Sequence, residues 1–355
     1  MRTGLLLGSA ALIGGAYAAL RQDRGMELSG KTVLITGGSH GLGLAMARGF
    51  AGRGARVAIC GRDEESLASA KRDLESRGAE VLTIRCDVAD RKQVESAVAQ
   101  TIAHYGALDV LVNNAGVIQA QPLDATSIDD FQQAMNIMFW GSVYATFAAL
   151  PHLRSRPESR IVNITSIGGK VAVPHLLPYT CAKFAAAAFS EGLRAELSST
   201  PVKVVTIAPG LMRTGGHYNA RFKGDPEAES AWFSAGASLP GISMSAARAA
   251  RQVIAATRTG CAEKTLGAPA TFIARLNGMF PGFTSDLMGF VNRLLPQAPA
   301  GQAPGQNATN QNAGLTGDQT EILRRPWMRA ITLLGELAAK EFLQPVMRRS
   351  EQVSA

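Results

Sequence analysis

From Lys31 onward, short apolar runs rich in β-branched residues alternate with longer segments of helical periodicity, and few folds accommodate that alternation. The runs are KTVLIT, RVAIC, EVLTIRC, LDVLV, SRIVNIT and VKVVTIA. Between them lie GLGLAMARGFAGRG, EESLASAKRDLESRG, DRKQVESAVAQTIAHYG and two longer helices, one from about Ile128 and one from about Tyr179. Strands that are apolar at nearly every position are covered on both faces, and a helix between successive strands is the crossover that parallel pairing requires. The pattern predicts an α/β domain, a doubly wound parallel sheet, over residues 28–267.

Composition excludes little but narrows the partners. The chain is 46% hydrophobic and 18% charged, ample for a buried core. Its formal charge of +8 is spread along the sequence without a Lys/Arg-rich run or an aromatic-interleaved basic patch, so no nucleic-acid partner is expected. The four cysteines, Cys60, Cys86, Cys181 and Cys261, form neither a CxxC nor a zinc-ligand spacing, which predicts reduced thiols and no metal site.

The stretch LITGGSHGLG ends the first strand and opens the first helix. Gly37, Gly41 and Gly43 let backbone turn tightly and come close to a pyrophosphate at a helix N-terminus. Its TGxxxGxG spacing, with Ser39, His40 and Leu42 between the glycines, resembles the loop of the short-chain dehydrogenases/reductases, and further segments follow in that family's order. CDVAD offers Asp87 and Val88, which the resemblance places at the adenine. NNAG supplies Asn114, Ala115 and Gly116 below the cofactor. Pro209-Gly210 and Thr214 would lie near the nicotinamide. The resemblance implies a Rossmann-like fold and a nicotinamide dinucleotide. An acidic residue at the end of the second strand would bind a ribose hydroxyl, whereas an arginine there accommodates a 2′-phosphate. AICGRDEES has Gly61 at the acidic place and Arg62 next, with Asp63 expected to cap the following helix, so NADP(H) is expected over NAD(H).

Tyr179 and Lys183 in YTCAK are neighbours on one helical face. Hydride transfer to a carbonyl needs a proton donor, and a phenol of pKa about 10 is a poor one until a nearby ammonium stabilises its anion. A second hydroxyl should hold the carbonyl oxygen; Ser166 in RIVNITSIGG stands thirteen residues before Tyr179, the separation this family uses, while strand alternation turns Thr165 away. Asn136 in NIMFWG would complete a proton relay through water and Lys183. The resemblance thus implies a catalytic tetrad of Asn136, Ser166, Tyr179 and Lys183, with the last two also contacting cofactor. His40, His152 and His175 are given no chemical role.

Four segments complete the chain. In residues 1–25, the uncharged Leu5–Leu20, between Arg2 and Arg21, is slightly short of the about 20 residues that span a bilayer. It is expected to be an uncleaved membrane anchor holding the catalytic domain on the cytoplasmic side; Ala16-Tyr17-Ala18 leaves a cleaved signal peptide as the alternative. Residues 268–296 form an apolar helical extension suited to a bilayer interface, a substrate lid or a subunit contact. Residues 297–320 read as a flexible linker. An amphipathic helix over 321–349 places Trp327, Ile331, Leu334, Leu337, Ala338 and Phe342 on one stripe. The segment Leu211 to Pro240, with His217, Tyr218, Phe222, Trp232 and Phe233, suggests a bulky, aromatic-lined pocket. The expected substrate is a hydrophobic, lipid-like carbonyl or alcohol, with a polar small molecule or a silent dinucleotide sensor as alternatives. A homodimer or homotetramer is compatible with this reading.

Overall fold

The computed structural model describes residues 25–297 and 314–344. Its principal sheet is parallel throughout, with strands β1 (Thr32–Thr36), β2 (Arg56–Gly61), β3 (Val81–Arg85), β4 (Val110–Asn113), β5 (Ser159–Ile164), β6 (Val202–Pro209) and β7 (Glu263–Leu266). They run in the order β7-β6-β5-β4-β1-β2-β3. The helices are α1 (Gly41–Ala51), α2 (Glu64–Glu75), α3 (Arg91–Tyr105), α4 (Ile128–Met135), α5 (Gly141–Ser155), α6 (Leu177–Glu196), α7 (Pro226–Ser238), α8 (Ala246–Thr259), α9 (Ala268–Met279), α10 (Pro281–Asn292) and α11 (Pro326–Glu341). A single π-helical turn, Asn136–Trp140, joins α4 to α5.

Alternate strand residues point to opposite faces, and each face has its own core. Val33 and Ile35 of β1 pack with Leu44, Met46 and Phe50 of α1 and Val253 and Ile254 of α8. Leu34 packs on the other side with Val94 and Val98 of α3 and Ala149 and Leu153 of α5. Every residue of β1 is buried, which explains its continuous apolar run. The chain leaves β1 toward β2 on one side and later inserts β4 on the other, so the order reverses there. In open α/β sheets, ligands sit outside the carboxyl ends of the strands at such a reversal.

The six expected strands are present. β7 was not foreseen, because its sequence EKTL is short and half charged; it lies at the sheet edge, where Glu263 and Lys264 face solvent. Cys60 and Cys86 are buried free thiols.

The flanking segments depart further from expectation. Residues 1–24, 298–313 and 345–349 lie outside the described residues, and with them the expected anchor, most of the expected linker and the end of the last helix. Among the described residues no helix is long and apolar enough to cross a membrane. The rest of the expected linker is fastened: Leu315–Thr316 pairs antiparallel with Arg221–Phe222, which pairs parallel with Gln119–Ala120. Backbone hydrogen bonds do this, so low apolar content was no obstacle. The extension 268–296 is two helices broken at Phe280 and Pro281, and Phe272, Met279, Phe280, Phe283 and Phe290 are exposed.

The apolar stripe of α11 is mostly solvent-facing: Trp327, Ile331, Leu334 and Leu337 are exposed, and only Ala338 and Phe342 of the six are buried. The packed face carries Met328, Thr332, Gly335 and Ala339 instead. Close approach decides this. A Cβ on Gly335 would lie 2.5 Å from Ser238 Oγ and 2.7 Å from His217 Cε1, so large side chains have no room there.

Candidate active site

The carboxyl end of β1 leads directly into the glycine loop, and Asn114 at the end of β4 holds that loop in place. Its N–H donates to Thr36 Oγ1 at 2.9 Å, and its side-chain amide donates to the carbonyls of Thr36 at 2.9 Å and Gly37 at 3.0 Å. Ala115 N–H also reaches Thr36 Oγ1, at 3.1 Å. A Cβ on Gly43 would fall 2.0 Å from the Gly37 carbonyl oxygen, which is why the turn into α1 needs glycine there. Leu42 and Gly43 are buried in the first turn of α1, whose N–H groups lack in-helix acceptors and suit an anion. Ser39 Oγ lies 2.9 Å from His40 Nδ1, and burial holds the His40 imidazole below its ordinary value.

At the end of β2, no carboxylate follows the strand. Asp63 caps α2, accepting the Ser66 N–H at 2.7 Å, which leaves Gly61 and the exposed Arg62 facing the loop side. Arg62 and Asp87 line one open groove together with Gln132, Asn136 and Ile137. Val88 is buried beside this groove. At the opposite side of the loop, Gly210 donates to the Leu266 carbonyl, and Thr214 Oγ1 accepts the Gly216 N–H. The donors, glycines and arginine therefore fit a dinucleotide, its pyrophosphate against the head of α1 and its adenosine end toward Arg62 and Asp87.

The chemical groups converge between β5 and α6. Lys183 is buried and its Nζ donates to the Ile164 carbonyl at 2.9 Å, 5.8 Å from the centre of the Tyr179 ring. Burial lowers its ammonium to about 8. Burial pushes the Tyr179 phenol up, while a side-chain hydrogen bond with Ser166 works the other way. Ser166 Oγ accepts the Gly168 N–H at 3.0 Å, and Thr165 is turned to the Ile207 carbonyl at 2.7 Å, as strand alternation required.

Asn136 does not join them. Its side chain is exposed in the groove with Arg62. Residues two apart on a helix do not share a face, and Met138 takes the inward position. A Cβ on Gly116 would lie 3.6 Å from Met138 Sδ and 3.8 Å from Lys183 Nζ, so thioether and ammonium both lie close to the Gly116 backbone. The buried series Ala134, Met138, Gly141 and Ala145, spaced four, three and four, carried this signal in the sequence.

Other contributors were also missed. Asn113 Nδ2 donates to Asn163 Oδ1 at 2.8 Å, Asn163 Nδ2 to Ser190 Oγ at 2.9 Å, and Ser190 Oγ meets Thr206 Oγ1 at 2.7 Å. This buried chain pins α6 across β4, β5 and β6. Over the site, Glu229 of α7 is fully buried and held by His175 Nδ1 and Trp232 Nε1, each at 2.7 Å. Lys223 Nζ binds both oxygens of the buried Asp130, at 2.7 and 2.9 Å. Burial alone would raise the Asp130 carboxyl, but Lys223 and Ser127 outweigh it and hold it below the usual range. His152 accepts the Leu108 N–H at 3.0 Å, a structural role.

A family model described as short chain dehydrogenase matches residues 31–223, more than half of the chain. Dehydrogenase/reductase SDR family protein 7-like of Anopheles gambiae is 37% identical over 204 residues, 56% of this chain and 64% of that protein. A protein of Pinus massoniana named 11-beta-hydroxysteroid dehydrogenase is 39% identical over 198 residues, 55% of this chain and 55% of its own length. The chain thus spans less than two thirds of either relative. A short-chain dehydrogenase from Streptomyces avermitilis shares the architecture with a TM-score of 0.63 at 29% identity, covering 74% of this chain and 97% of that one.

Because the ammonium form of Lys183 is the one that stabilises a phenolate, carbonyl reduction is expected to fall as pH rises through about 8. Met138→Asn gives the ammonium a polar neighbour and is expected to move this falling limb up by roughly 1 pH unit, whereas Met138→Leu leaves it in place. Initial-rate pH profiles of the three proteins check this, and coincident limbs would disconnect the limb from the Lys183 surroundings.

Proposed function

The chain is a member of the short-chain dehydrogenase family of oxidoreductases, and on that footing we propose that it is an NADP(H)-dependent reductase of a hydrophobic, lipid-like carbonyl compound, or oxidises the matching alcohol. The observation that carries this reading is the half-buried Tyr179 beside the buried Lys183, with Ser166 just past the carboxyl end of β5, next to a glycine loop shaped for a dinucleotide. When bound, the reduced nicotinamide supplies a hydride and, once oxidised, a positive charge. The Ser166 hydroxyl orients the carbonyl oxygen, Tyr179 protonates it as its carbon is reduced, and the Lys183 ammonium stabilises the phenolate left behind.

The NADP(H) preference rests on Gly61 and Arg62: Gly61 ends β2 where an acidic residue would bind the ribose hydroxyl, and the next residue brings a guanidinium into the groove. The hydrophobic substrate rests on the segment Leu211 to Pro240, where Phe222 and Phe233 meet edge to face at 5.9 Å, Trp232 and Phe233 at 5.8 Å, and the same cluster reaches Tyr179. The steroid dehydrogenase name of the pine relative points the same way.

Membrane association, with the catalytic domain cytoplasmic, is part of the same proposal. The exposed Phe272, Met279, Phe280, Phe283 and Phe290 of α9 and α10, beside Arg275 and Arg293, suit the interface of an anionic bilayer. Exposed Trp140, Phe147 and Phe184 around α5 and α6 support a homo-oligomer.

Tyr179→Phe removes only the phenolic proton, so turnover is expected to fall below a tenth of wild type while NADPH affinity stays within a few-fold. Arg62→Ala is expected to weaken NADPH more than NADH, by roughly tenfold for a lost charge-assisted contact to phosphate. Equal loss with both cofactors would make Arg62 structural. Flotation with anionic vesicles tests the membrane reading: wild type is expected to float and a Phe280→Ser/Phe283→Ser variant to remain behind, and equal partition of the two sinks it.

A further inference from the structure

Gly41 is the glycine at which backbone must be approached most closely by a pyrophosphate, and in this chain something already approaches it. Its N–H, the first of α1, donates to the Phe342 carbonyl at 2.9 Å. The position a Cβ on Gly41 would take lies 2.7 Å from Gln344 Nε2 and 3.7 Å from Thr214 Cβ. Residues Phe342 to Gln344, just past the end of α11, are thus laid across the head of α1.

The segment is anchored from several sides. Arg48 of α1 donates to the Glu341 carbonyl at 2.8 Å, and its guanidinium stacks over the Phe342 ring at 5.2 Å. Phe342 is buried in the core shared with α1. Asn219, in the segment that follows Thr214, donates its amide to Gln344 Oε1, and the Gln344 N–H bonds the Ala339 carbonyl at 2.9 Å. Leu343 carries a φ of +50°, a left-handed conformation that a leucine adopts only when its surroundings impose it.

We propose that Phe342–Gln344 is a built-in competitor for the dinucleotide, occupying the pyrophosphate seat and leaving it when cofactor binds. This rests on the cofactor reading above. The contact is built to be displaced. The head of α1 is the positive end of a helix and offers N–H donors, which an anion satisfies fully. The tail supplies one neutral carbonyl, and the Gln344 atom nearest Gly41, Nε2, is a donor and cannot accept from the helix head. Release also relieves the strained Leu343, so a pyrophosphate wins the exchange. The consequence is an apparent affinity lowered by the fraction of molecules in which the tail is docked.

The test is NADPH binding by fluorescence titration, alongside amide hydrogen exchange of the segment 339–344. Gln344→Ala and Asn219→Ala, which remove the filling amide and its tether, are each expected to tighten NADPH binding about three- to tenfold. In wild type, saturating NADPH is expected to speed exchange of the Phe342 and Gln344 amides, which bond the Ala338 and Ala339 carbonyls while the tail is docked. Unchanged or weaker binding in both variants overturns the proposal, as does slower exchange, which would make the tail part of the bound site. If neither wild type nor variants bind NADPH or NADH, the cofactor reading itself fails, a result distinct from binding that ignores the tail.

Discussion

Asn114 is the residue on which the site hangs. One side chain at the end of β4 takes hold of two successive carbonyls at the end of β1, Thr36 and Gly37, while its own N–H returns to the Thr36 hydroxyl. The two strands flank the point where the sheet reverses order, and without such a tie these carbonyls would have to find other partners. With it, the glycine loop has one conformation and the head of α1 one direction. Everything chemical is then measured from that frame: Lys183 is fixed by the Ile164 carbonyl on the next strand, and α6 by the hydroxyl and amide chain that crosses β4, β5 and β6.

Lysine in this setting is a compromised cation. Burial has cost it hydration, the ring of Tyr179 lies 5.8 Å away, and the Met138 sulfur shares with it the space over Gly116. The phenol is likewise pushed up by burial, so the pair works only through the charges that meet there. A dry site makes each of those charges count for more than it would in water. Two buried polar pairs fasten the neighbouring segment, Lys223 on Asp130 and His175 with Glu229.

Much of this was legible in the residues. Continuous apolar strands with helices between them are specific for a parallel sheet, and the glycine loop, NNAG, Ser166 and YTCAK have the ordered spacing that such a sheet turns into one site. Two of the departures share a cause, which is that linear patterns do not say which face of a helix is inside. Asn136 is a polar residue in the expected segment, yet the four-three-four series of Ala134, Met138, Gly141 and Ala145 selects Met138. In α11 the large apolar residues share a stripe, but close approach of Ser238 and His217 leaves no room for a Cβ at Gly335 and selects the face beside that stripe for packing. Strand β7 escaped because an edge strand needs no apolar run. The tail contact at Gly41 had no linear signal at all.

The bond from Arg48 to the Glu341 carbonyl joins residues 293 positions apart. Chains are synthesised from the N-terminus, so the glycine loop and α1 exist long before anything can lie across them. Closing so long a loop costs entropy that grows only with the logarithm of its length, but it can be closed only after the last helix has emerged and docked. During synthesis the head of α1 is therefore open, and a dinucleotide in the surrounding solution meets it without a rival. A chain finished in the presence of cofactor and one finished in its absence would reach the same equilibrium from opposite sides.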